Sequence, residues 1–171
     1  MIRSFFIVLA LFSLLFFGCS NKQIPTAELV KFSADNLDGV IDQTVNFDPS
    51  VSSDGNGSLK IAVSQPETVR LYETGDLDVE DCRLLYQAKI RTENLTGQAY
   101  LEMWCEFDTL GEYFGRDLAS PVSRADDWSP EETLFMLQKG QNPNNVRLNL
   151  VIDGSGTVWI DDIRLLKASL Y

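Results

Sequence analysis

The chain has 171 residues, with 25 acidic against 14 basic side chains and no histidine, for a net charge of −11 at pH 7. That balance argues against nucleic acid as a partner, because phosphate binding needs a basic footprint, and it disfavours anionic membrane surfaces. The lack of histidine removes the usual general base, the commonest transition-metal ligand and the neutral-pH switch together.

The first residues, Met1-Ile2-Arg3, precede an apolar run from Phe5 to Phe17 that ends at Gly18-Cys19-Ser20-Asn21. A basic start, a short apolar stretch and a small residue before the break describe a secretory signal rather than a membrane span. Phe16-Phe17-Gly18-Cys19 resembles the lipobox of bacterial lipoproteins. The resemblance implies that residues 1–18 are removed, that Cys19 is acylated, and that residues 19–26 form a short tether to one domain over residues 27–171. Ser20 after the cysteine resembles lipoproteins sorted to the outer membrane. Multiple acyl chains would anchor the protein stably there, in the cell envelope.

Glu28 to Phe32 reads as a first short strand, Ser33 to Asp42 as turns, and Val45 to Phe47 as a brief return to strand pattern. The loop Ser52 to Gly57 precedes a strand over Ser58 to Val63, and Glu67 to Tyr72 forms another before the acidic loop Gly75 to Asp81. Cys82 to Thr92 alternates, with Cys82, Leu84, Tyr86, Ala88 and Ile90 on one face. After the turn Asn94 to Gly97, the stretch Gln98 to Asp108 turns Ala99, Leu101, Met103, Cys105 and Phe107 inward. Tyr100, Glu102, Trp104 and Glu106 then face outward. Two large aromatics and two acids are an unusual composition for a solvated strand face. Glu112 to Ala119, Thr133 to Leu137 and Val146 to Ile152 complete the set before the closing strand. Cys82 and Cys105 share the inward parity of their strands, so they either meet in a disulfide across the core or remain two buried thiols.

The closing stretch, Gly154 to Leu166, places Trp159, Asp161, Ile163 and Leu165 on one face by strict alternation and Val158, Ile160, Asp162 and Arg164 on the other. Trp159 reads as core, and Asp161 and Asp162 point apart. A carboxylate on the apolar face costs several kcal/mol to bury alone, so Asp161 needs a cation or a set of backbone N–H donors. Short alternating strands separated by turn residues, with no helical period, predict an all-β antiparallel β-sandwich.

The Gly-rich turn before Ser58-Leu59-Lys60-Ile61, the Ile90-Arg91-Thr92-Glu93-Asn94 strand end, the Asp127-Trp128-Ser129 step and the closing Gly156 to Leu165 motif together resemble the galactose-binding-like jelly rolls found as carbohydrate-binding modules. The resemblance spans about Glu28 to Lys167. It implies a structural calcium on Asp161, with backbone carbonyls around Gly57 to Lys60, Ser58 and Lys60 among them, and a further carboxylate from Glu28 or Asp35. Oxygen ligation suits a hard cation. It also implies exposed aromatics as sugar-stacking platforms, for which Tyr100, Trp104, Tyr113, Phe114 and Trp128 are available, while Trp128 matches a position that usually packs structurally.

The ligand-binding set expected from this reading is Tyr100, Glu102, Trp104, Glu106 and Tyr113. The functional expectation is a non-catalytic, lipid-anchored envelope lipoprotein that recognises a glycan. The alternative is a protein-interaction or assembly subunit of an outer-membrane or cell-surface complex, using the same face against an envelope protein. Acid pairs such as Glu102 with Glu106 or Asp126 with Asp127 read as solvated acidic surface rather than a glycosidase pair.

Overall fold

The computed structural model describes residues 26–75 and 77–170, so the signal segment, Cys19 and most of the tether lie outside the described residues. The described chain forms strands β1 (Thr26–Phe32), β2 (Asn46–Asp48), β3 (Ser58–Val63), β4 (Glu67–Gly75), β5 (Cys82–Glu93), β6 (Gln98–Phe107), β7 (Gly111–Arg116), β8 (Ser129–Leu137), β9 (Asn145–Asp153) and β10 (Gly156–Ser169). They make two antiparallel sheets. The first runs β2-β3-β10-β5-β8 with β1 also on β10, and the second runs β4-β9-β6-β7. This is the all-β two-sheet sandwich that the alternation predicts.

The inward residues of both sheets meet in one core. Leu59, Ile61, Leu84, Tyr86, Ile90 and Ile160 come from the first sheet, and Leu71, Leu101, Met103, Leu148, Leu150 and Ile152 from the second. Cys82 and Cys105 lie in this core as free thiols rather than a disulfide. Burial pushes the Cys105 thiol up to about 12 and raises that of Cys82 as well.

β10 organises the first sheet, and it breaks strict alternation. Its first half, Gly156 to Ile160, pairs with β3, and its second half, from Ile163, pairs with β1, while β5 runs along the other edge. Between the halves a bulge falls at Asp161 and Asp162, where Asp162 takes a left-handed φ of 51°. Aspartate tolerates that region better than most residues. The extra residue resets the parity, so Val158 and Ile160 face the core before the bulge and Ile163 and Leu165 face it after. Trp159 is therefore not a core residue: it is buried on the outer face of the first sheet, between Lys60 of β3 and Arg91 of β5.

Among the strand boundaries that differ from the sequence reading, those of β7 and β8 have a visible local cause. β7 stops at Arg116 instead of Ala119, because the Asp117 carboxylate accepts the Ala119 and Ser120 N–H groups in a turn. β8 begins at Ser129, with Pro130 inside it, which an edge strand tolerates since one side of its backbone needs no donor. The β5–β6 and β9–β10 turns also pack on one another. Thr96 N–H donates to the Ser155 carbonyl at 2.8 Å, and a Cβ on Gly97, whose φ is 144°, would strike the Asp153 carbonyl.

Candidate functional site

The outer face of the second sheet brings together side chains from three strands. Register sets Trp104 between Phe114 of β7 and Arg147 of β9, and Glu102 between Arg116 of β7 and Asn149 of β9. Opposed residues of antiparallel strands project to the same side, so all six share one face. Trp104 and Phe114 pack with ring centroids 4.9 Å apart and tilted by 43°. The Arg147 guanidinium lies over Trp104 at 5.5 Å, and that of Arg116 over Phe114 at 4.2 Å.

Glu102 is the hub. Its carboxylate is buried and accepts the Trp104 indole N–H at 2.6 Å and the Asn149 amide at 3.1 Å, and it pairs with Arg116 at 2.7 Å. Each of these bonds fixes a neighbour's rotamer, so the face is held in one arrangement before any ligand arrives. A second pair, Arg147 with Glu112 at 3.0 Å, anchors the guanidinium over the indole. Two groups on this face are buried without any hydrogen-bond partner, the Asn149 Oδ1 and the Arg116 Nε. One accepts and the other donates, the pair of roles a sugar hydroxyl can fill.

Of the five residues expected to bind ligand, Tyr100, Glu102, Trp104 and Glu106 do lie on the outward parity. Their exposure separates them: Tyr100 and Glu102 are buried, Trp104 is half-buried and Glu106 is exposed. Tyr113 does not belong to the group. It opposes Cys105 and so has the inward parity, where its ring meets Phe107 edge-on at 6.3 Å. Arg116, Arg147 and Asn149 were not singled out from sequence. The outward parity of Arg147 and Asn149 in VRLNLVI was the available signal, but the strand order that places them beside Trp104 was not.

The surroundings of Asp161 bear on the calcium expectation. Asp161 is fully buried, on the outer side of the first sheet beneath the loop before β3. Its Oδ2 accepts the Ser53 N–H at 2.8 Å and its Oδ1 the Asp162 N–H at 2.7 Å. The Lys89 ammonium lies 3.4 Å from the Ser53 hydroxyl and 3.4 Å from Asp162. The bulge thus turns Asp162 toward the same side as Asp161, contrary to strict alternation. Asp162 also pairs with Lys31 and Arg164. Burial raises its carboxyl, and Arg164 and Lys31 outweigh that, so it ends below the usual range.

The side chains of Ser58, Lys60 and Glu28 have partners of their own, the first two being residues expected to ligate through their backbone carbonyls. The Ser58 hydroxyl donates to the Val51 carbonyl, Lys60 pairs with Asp48, and Glu28 faces Arg164. Asp35 lies by Tyr72, whose phenol burial and the Asp35 charge push up to about 12. Among the described residues no three acidic or sulfur groups cluster as a metal site. Both Asp161 oxygens are thus taken by backbone N–H donors, one of the two ways expected to satisfy a carboxylate on this face. Trp128 packs structurally, its indole N–H donating to the Ser52 carbonyl at 2.8 Å beside the Ser53 anchor.

No family model matches the chain, and no curated protein matches it by sequence. Solved structures do match. A family 16 carbohydrate-binding module aligns at a TM-score of 0.60 and 13% identity, over 81% of this chain and 99% of that one. The CBM22-1 xylan-binding domain of Paenibacillus barcinonensis Xyn10C aligns at a TM-score of 0.61 and 12% identity, over 85% and 97%. A family 30 carbohydrate-binding module aligns at 0.53 and 15%, over 87% and 90%. At such identities the likeness is one of fold, and the chain is an antiparallel two-sheet β-sandwich of the kind found in carbohydrate-binding modules.

Proposed function

We propose that this chain is a non-catalytic recognition protein that binds a glycan across the outer face of its second sheet. The observation that carries the reading is the pinned Trp104–Phe114 pair with two unpartnered polar atoms, Asn149 Oδ1 and Arg116 Nε, on the same face. Sugar rings present apolar C–H faces that lie on aromatic rings, while flanking amides and guanidinium groups take the hydroxyls. The fold likeness to several carbohydrate-binding modules, one of them described as xylan-binding, supports the same reading.

Affinity electrophoresis through gels holding soluble polysaccharides, xylan among them, tests it. The wild-type protein is retained by at least one, and Trp104→Ala and Asn149→Ala each lose that retention while keeping a cooperative melt. Wild-type protein that runs freely through every gel, yet co-purifies with an envelope protein that Trp104→Ala releases, favours the assembly reading instead.

Lipid anchoring through Cys19 in the outer membrane belongs to the same proposal and rests on Phe16-Phe17-Gly18-Cys19-Ser20. Fractionation tests it: the protein sediments with membranes, and Cys19→Ala releases or mislocalises it. Recovery of unmodified wild-type protein wholly in the soluble fraction rejects the anchor.

A further inference from the structure

A cleft of 470 Å³ opens away from the face described above, where the end of β5 and its turn meet the segment before β8 and the outer side of β10. Arg91, Asn94, Ser123, Arg124, Asp126 and Trp159 are among its lining residues. Its volume falls in the range of small-ligand pockets.

Arg91 is the singular group there. Every other described arginine is engaged: Arg70 with Glu73, Arg116 with Glu102, Arg124 with Asp126, Arg147 with Glu112, Arg164 with Asp162, and Arg83 with the Ser169 carbonyl. The half-buried Arg91 guanidinium makes no hydrogen bond or ion pair with any described residue, in a chain whose acids outnumber its bases by 25 to 14. It is nonetheless held in place, 5.8 Å over the Trp159 ring. That ring is itself fixed, its indole N–H donating to Asp48 at 3.0 Å and its other neighbour, Lys60, lying 5.2 Å from its centroid. An arginine beside a fixed indole and paired with neither acid of the cleft lining, Glu93 or Asp126, presents a fork for a planar oxyanion.

We infer that this cleft is a second binding site, separate from the Trp104 face, for a sugar acid whose carboxylate is taken by Arg91. The rest of the lining suits a polyhydroxylated ligand. Asn94 and Ser123 offer both donors and acceptors, and Asp126, which Arg124 holds, accepts from hydroxyls. The net charge of −11 repels long polyanions, so the favoured ligand carries one carboxylate among neutral hydroxyls, as a single uronic acid on a neutral saccharide does.

Titration calorimetry on the full chain tests the site with a disaccharide of glucuronate and a neutral sugar, and with its carboxyl-reduced form. The acidic disaccharide binds, the reduced form binds about tenfold more weakly or worse, and Arg91→Ala removes that preference. Arg91→Lys keeps the charge but not the fork, so it restores binding only in part and serves where Arg91→Ala fails to fold. Added salt weakens the acidic ligand and leaves the reduced one unaffected.

Trp104→Ala leaves this binding unchanged, which keeps failure here distinct from failure of the proposed glycan face. Equal binding of the two disaccharides, no binding of either, wild-type affinity in a folded Arg91→Ala, or loss on Trp104→Ala overturns the inference.

Discussion

The buried carboxylate of Asp161 accepts the N–H of Ser53, which lies 108 residues earlier, at 2.8 Å. One residue back, the Ser52 carbonyl accepts the Trp128 indole N–H, so two bonds of opposite sense clamp the loop before β3 onto the outer face of the first sheet. Asp161→Ala leaves the Ser53 and Asp162 N–H groups without their charged acceptor. A loss of about 3 kcal/mol in urea unfolding is expected, since hydrogen bonds to charged groups contribute about 1.5–3 kcal/mol each and part of the loss is regained by hydration. A loss under about 0.5 kcal/mol, the range of ordinary surface changes, shows that the clamp is dispensable.

The same geometry sets the expectation for calcium. An ion bound by the native state alone stabilises by mass action, about 2.7 kcal/mol at a hundredfold excess over its dissociation constant. With both Asp161 oxygens on N–H donors and Lys89 beside Ser53, a melting temperature indifferent to chelators is expected. A melting temperature that falls on chelation, and stops responding in Asp161→Asn, establishes calcium there.

Glu102 ties Trp104, Asn149 and Arg116 together, so its removal reaches the whole face. Glu102→Ala leaves Arg116 unpaired and is expected to cost about 3 kcal/mol, the low end for breaking a buried pair because Arg116 is partly exposed. Trp104→Ala costs about 2 kcal/mol, roughly half of what a fully buried Trp loses. Chemical denaturation of both variants checks the order, and a larger cost for Trp104→Ala means the ring is a core element rather than part of an open face.

Asp48 supplies a pH dependence. Bonds from the Ser50 hydroxyl, the Trp159 indole and the Ser50 N–H, with the Lys60 charge nearby, lower its carboxyl from 3.8 to about 2. A carboxyl lowered by folding contributes stability that is fully present above its unfolded value and is lost as pH falls through the folded one. Part of the acid loss between about pH 4 and pH 2 is therefore carried by Asp48. Asp48→Asn should flatten that part of the stability profile, and an identical acid limb in the variant assigns the loss to other groups.

Cys105 lies in the core with its thiol raised to about 12, so it should resist thiol reagents in the native state and react once the chain unfolds. Reductant should leave the melting temperature unchanged, whereas loss of a native disulfide costs about 2–5 kcal/mol. A reductant-sensitive melt identifies a Cys82–Cys105 bridge.

The class of fold was legible in the alternation alone, because a sheet with one buried face writes a period of two directly into the chain. Cys82 to Thr92, Gln98 to Asp108 and Val146 to Ile152 each show it, and each is a strand facing the core as read. That parity also put Trp104 and Glu102 on the outside. Alternation along one strand cannot report which strand lies beside it, so the approach of Arg147, Asn149, Phe114 and Arg116 to that pair was decided by the order β9-β6-β7. Nor can alternation survive an inserted residue. The bulge at Asp161 and Asp162 falls where β10 changes partner from β3 to β1, a tertiary event. That event moved Trp159 out of the core, where its ring carries Arg91 at the edge of the cleft.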